Sequence, residues 1–197
     1  MSKLMFAHGL LGSKHLARMI CISAKITRSD TLILLGDTVS PSILKWLVQH
    51  CGLRVLGVLG RYDNAALASE LRRINGLIEC KTVKIGEIVL YGYGFPGCHP
   101  QITEHIKVDI LVSSLPGLKY TCCNKCSDIV DLLIDRLSAR LTVIGGCEYP
   151  CIDERTFSPG SVQRDYIGLI DATGNSIEAR TPRLADVVNS FIDRFFV

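Results

Sequence analysis

Apolar and polar positions are distributed along this chain so that one stretch stands at its centre. Thr31-Leu-Ile-Leu-Leu-Gly-Asp37 is an apolar run closed by Gly-Asp. A short apolar run ending in turn residues predicts a buried strand. Such strands belong to parallel sheets covered on both faces. Asp37 falls at the carboxyl end, where open α/β sheets bind their ligands. A carboxylate there must be solvated, paired or bound to a cation, because an isolated buried charge is too costly.

The rest of the chain repeats this grammar. Residues 4–7 predict a first strand, followed by His8-Gly9. Ser13 caps a predicted helix to about Lys25, with Leu16, Ile20 and Ala24 on one face. Ser40 and Pro41 open a second helix that Gly52 ends. Residues 54–60 predict a strand, then Arg61-Tyr-Asp-Asn64, then a helix over 65–74 stopped by Asn75-Gly76. Alternating strands and helices with polar strand ends predict parallel α/β layering. Further on, Gly86-Glu87 joins a hairpin of 82–85 and 88–91. Gly92, Gly94, Pro96, Gly97 and Pro100 mark an extended loop that carries His99, expected at the surface. Residues 109–114 and 141–146 predict strands, with a helix from Ser127 to Leu137 between them. A turn-rich segment spans 156–161. A terminal hairpin pairs 163–171 with 176–180, and Thr181-Pro182 starts a last helix. No internal repeat or linker interrupts this order, so one domain over residues 1–197 is expected.

Composition narrows the function classes. Hydrophobic residues are 48% and charged residues 21%, which is globular. A net charge of +3, with Lys and Arg dispersed, argues against a nucleic-acid partner. No apolar run approaches a membrane span. The start, Met1-Ser-Lys-Leu-Met-Phe-Ala-His8, is unlike a signal peptide, so a cytoplasmic protein is expected. The nine cysteines include Cys122, Cys123, Cys126, Cys147 and Cys151. Three readings stand: small buried hydrophobes, disulfides, or a structural zinc, although Cys123-x-x-Cys126 has no matching second pair.

The strand ends carry signatures in a fixed order: His8-Gly9, Gly36-Asp37, Gly60-Arg-Tyr-Asp63, Ser113-Ser-Leu-Pro116 and Gly145-Gly-Cys-Glu148, then Ser158-Pro-Gly-Ser161. This order resembles the calcineurin-like metallophosphoesterases over nearly the full chain. The resemblance implies a four-layer αββα sandwich of two mixed β-sheets flanked by helices, an α/β fold with its site at the strand ends. In that family two cations clamp an in-line displacement at phosphorus, held by carboxylate and imidazole ligands. The bridging aspartate is matched by Asp37, and one early histidine by His8.

Most other ligand positions differ. Phe6 matches the first aspartate, Arg61 the asparagine and Ser114 the lone histidine. Gly146 and Glu148 match the paired histidines, and Ser158 the closing asparagine. The second metal site keeps only Asp37. His8, Asp37 and Glu148 remain as ligands for one divalent ion of Mn, Zn or Fe, if any cofactor binds. Arg61 is expected to pair with Asp37 in place of the lost cation. Arg61 and Asp63 are the catalytic candidates if the chain is a phosphoesterase. Loss of most ligands favours the other class, a pseudoenzyme that serves as a binding or scaffold protein. A protein partner is then expected, and the apolar segment 191–197 could supply its surface.

Overall fold

The computed structural model of the protein describes residues 2–98, 107–117, 127–173 and 176–196, with side chains in the last segment to residue 191. Cys122, Cys123, Cys126 and His99 lie outside the described residues.

Two sheets face each other. The first has five strands in the order β11-β10-β1-β2-β3. Its parallel heart is β1 (Ser2–Ala7), β2 (Thr31–Leu34) and β3 (Arg54–Gly57). The antiparallel strands β10 (Gly168–Ala172) and β11 (Ile177–Arg180) extend it beside β1. The second sheet has six strands in the order β4-β5-β6-β7-β9-β8. Here β5 (Ile88–Tyr93), β6 (Ile110–Ser113), β7 (Leu141–Ile144) and β9 (Thr156–Ser158) run parallel. The edge strands β4 (Thr82–Ile85) and β8 (Cys151–Ile152) run antiparallel to their neighbours.

The period of two along each strand sorts its side chains between layers. From β1, Leu4 and Phe6 enter the core between the sheets. Met5 and Ala7 point to the other face, under α1 (Lys14–Thr27), α2 (Pro41–Cys51) and α3 (Ala65–Arg73). Val112, Val143 and Phe157 close the inter-sheet core from the opposite side. Leu111 and Tyr91 face α4 (Asp128–Leu137) through Val130, Leu133, Ile134 and Leu137. The result is the expected αββα sandwich.

Several expectations change in detail. Ser13 caps α1, accepting from the Leu16 amide at 3.3 Å. Ser40 stands at the α2 N-cap position, but its hydroxyl bonds to Ser42 at 2.8 Å rather than to the helix backbone. Residues 163 and 164 form a 3-10 turn, Val162–Arg164, instead of a strand. The segment read as turn-rich is β9, whose Phe157 fills the core. The last helix, α5 (Leu184–Phe196), starts later than Pro182 because Asp165 supplies its cap. The Asp165 carbonyl accepts from the Leu184 amide at 2.8 Å and its carboxylate from the Ala185 amide at 3.1 Å.

Disulfides join Cys21 to Cys51 and Cys80 to Cys98, with Cα separations of 5.4 and 6.2 Å. Cys147 and Cys151 are disulfide-bonded as well. Of the three readings of the cysteines, the disulfide one describes these six residues.

Candidate functional site

The loops after β1, β2, β3, β5, β6, β7 and β9 converge on one open pocket of about 980 Å³. It gathers His8, Asp37, Arg61, Tyr62, Phe95, Ser114, Gly146, Glu148, Ser161 and Arg164. Parallel strands end together, so residues far apart in sequence meet here.

Two glycines let the loops after β2 and β3 touch. A side chain on Gly60 would collide with the backbone amide and carboxylate of Asp37. Gly36 has a φ of +95°, and a Cβ there would lie 2.6 Å from the Gly60 Cα. Both demands exclude larger residues. Asp63 then ties the two loops together. Its carboxylate accepts from the amides of Gly60 at 2.7 Å, Asp37 at 2.8 Å and Val39 at 2.6 Å. Burial pushes the Asp63 carboxyl up from its ordinary range, against the pull of those amides. Asp37 accepts in turn from the Tyr62 amide at 2.9 Å. The catalytic candidate Asp63 therefore has a structural task that no local sequence signal shows.

His8 is 7% exposed, and its Nε2 lies 3.8 Å from Asp37 Oδ2. Burial pushes its pKa below the ordinary 6.5, although Asp37 and the nearby carbonyls of Leu35 and Gly36 favour the charged form. The structure brings these two sequence-predicted residues together. Glu148 lines the same pocket, but among the described residues it does not join them in a metal-binding group. The Glu148 carboxylate is held by Arg164, at 2.9 Å from Nη2 and 3.2 Å from Nε. Arg164 also lies over the Tyr149 ring, 5.7 Å from its centroid. The expected Arg61–Asp37 pair is absent. Arg61 lines the pocket as an exposed side chain and makes no ion pair among the described residues. The reason is local: Arg61 begins an exposed turn, while the charge facing Asp37 within 4 Å comes from His8 if protonated.

The remaining positions carry neither a carboxylate nor an imidazole. Phe6 is wholly buried between the sheets. Ser114 is buried, with its Cβ position 3.2 Å from where a Gly36 side chain would start. The Ser158 hydroxyl accepts from the Gly160 amide at 3.3 Å. Among the described residues no three His, Cys, Asp or Glu side chains converge as a metal-binding group. The donor set does not fit a pair of divalent ions, which would need several more carboxylate or imidazole ligands than His8 and Asp37. Sequence reasoning did not single out Tyr62, Phe95 or Arg164 as pocket residues. An aromatic directly after Arg61 and another in the Gly-Pro loop were the signals available.

No family model and no curated protein matches the sequence. Solved structures do match in fold. A Thermus thermophilus protein, TT1561, superposes with a TM-score of 0.71 at 13% identity, over 93% of this chain and 99% of that one. An archaeal phosphodiesterase has a TM-score of 0.57 at 13% identity, over 91% and 99%. A conserved protein of Streptococcus pneumoniae described as a predicted phosphoesterase gives 0.54 at 11% identity, over 93% and 90%. With two mixed sheets flanked by helices, the chain has a calcineurin-like, metallophosphoesterase fold.

Proposed function

We propose that this protein uses the phosphoesterase fold as a binding or scaffold protein and is not a dinuclear hydrolase. The observation that supports this reading is the replacement of ligand positions by committed residues. Phe6 is part of the core, and Glu148 is paired with Arg164. Arg61 stands where a second cation would need a neutral donor. A fold does not fix an activity, so the site must carry the argument. The test is a crystal soaked in manganese and read by anomalous density. No bound ion at Asp37 is the expected result, and two ions there would overturn the reading.

A second reading is a phosphoesterase with one metal on His8, Asp37 and Glu148, assisted by Arg61 or Asp63. The 3.8 Å approach of His8 to Asp37 favours it. It requires Glu148 to leave Arg164, and a single ion held by all three residues would be its signature. Under either reading we propose a cytoplasmic protein. No helix among the described residues is long and apolar enough to cross a membrane.

A further inference from the structure

The helices α1 and α2, which cover one face of the first sheet, contain no acid. The exposed residues of α1 are Lys14, His15, Arg18, Ile22 and Lys25. At 3.6 residues per turn these five fall in one stripe about 100° wide, and Lys14 to Lys25 spans about 17 Å along the axis. Cations that are dispersed in the sequence are thus gathered on one surface. Two of them work against their own helix. Lys14 opens α1, where the helix dipole favours an acid, and Arg18 lies one turn on, at the spacing where like charges repel. Nothing inside the described chain offsets this. Lys14, Arg18 and Lys25 make no ion pair among the described residues, whereas Lys45 on α2 has Glu70 at 3.9 Å. The neighbouring α5 brings one acid with a described side chain, Asp186, and it pairs with none of the three. A local rule broken without an internal gain marks a functional surface, here one awaiting an external anion.

Ile22 selects the kind of anion. It is 42% exposed in the middle of the stripe and is the one exposed large hydrophobic residue of α1. An anionic membrane needs a whole apolar face to insert, which a single isoleucine does not make. A nucleic-acid backbone has no use for Ile22, and α1 exposes no Phe, Tyr or Trp on which a base could stack. A protein segment offers carboxylates and an apolar side chain together. We infer that the outer face of α1 docks an acidic segment of a partner protein, its carboxylates on Lys14, Arg18 and Lys25 and an apolar side chain on Ile22. This surface rests on the binding-protein reading above and gives it a partner class. None of its residues lines the strand-end pocket.

The test is fluorescence anisotropy of the full chain in EDTA with a labelled peptide of about ten residues, glutamates around a central leucine, long enough to span the stripe. Saturable binding that weakens with added salt is expected. Arg18→Glu weakens it by about tenfold or more, and Ile22→Ser by about threefold or more. Lys84→Glu, the same charge change at an exposed position on β4 of the second sheet, leaves it within about twofold. Phosphatidylserine vesicles and a short RNA duplex bind more weakly than the peptide. Arg18→Glu also leaves the thermal midpoint at or above that of the wild type, because it exchanges a repulsion with Lys14 for an attraction. No saturable binding of the peptide, an equal loss in Lys84→Glu, indifference to Ile22→Ser, or tighter binding of vesicles or duplex overturns the assignment. A lower midpoint in Arg18→Glu overturns it too, since Arg18 would then serve the fold. Each of these failures leaves the pocket untouched, whereas two manganese ions at Asp37 would overturn the non-hydrolytic reading without altering peptide binding in EDTA.

Discussion

At the scale of single residues, the site is a network built by backbone amides around two acids. Replacing Asp63 by Asn turns one acceptor oxygen into a donor facing amide donors, so about 1–3 kcal/mol of stability is lost. Urea unfolding of Asp63→Asn measures this. Gly60→Ala forces a methyl group into Asp37 and is expected to cost a similar amount, about 1–3 kcal/mol. His8 sets a pH dependence. Its folded pKa is depressed by burial, so the native state binds fewer protons than the unfolded state. The stability it contributes is present above its ordinary 6.5 and is lost as pH falls through the depressed value. Between pH 7 and about 5 the unfolding midpoint therefore falls in the wild type, and part of that fall vanishes in His8→Asn. A wild type as pH-insensitive as the variant would contradict the buried, neutral imidazole. Asp37 and His8 were legible in the sequence because each ends an apolar run. The bonds of Asp63 were not, because they join loops brought together only by the parallel pairing of β2 and β3.

At the scale of elements, the alternation of strands and helices up to Arg73 follows directly from local signals. Ser13, Pro41 and Gly52 mark helix ends by their own backbone chemistry. The pairing of β1 with β10 is different. Met5 lies opposite Leu169, and no local pattern specifies a partner so far along the chain. Short strands such as β8 and β9 carry too few residues for a periodic signal. Glu148 illustrates the same limit within the site. Its partner Arg164 comes from the 3-10 turn after β9, where the sequence suggested a strand. The disulfide between α1 and α2 ties together two helices that cover the same sheet. It closes a loop with a sequence separation of 30, and the Cys21→Ser/Cys51→Ser double variant is expected to lose about 2–4 kcal/mol. Thiol titration of the unreduced native protein in denaturant checks the bond itself. Thiols recovered at both positions would contradict it.

At the scale of the whole molecule, a two-sheet sandwich directs its strand ends to one pocket. Among the described residues, loops from seven strands line the pocket, and the fold alone does not decide what they do there. Order and spacing of strand-end motifs made the architecture readable from sequence at an identity of 11–13% to solved relatives in fold. The pocket wall also includes residues that the family comparison did not single out, Tyr62 and Phe95 among them. The central proposal is that these strand ends do not support dinuclear phosphoester hydrolysis. Its most direct test is the hydrolysis of bis(p-nitrophenyl) phosphate in saturating manganese, with Asp37→Asn run alongside. The account predicts release of nitrophenol at the rate of the metal-and-buffer blank for both proteins. Manganese-dependent turnover that disappears in Asp37→Asn would contradict it.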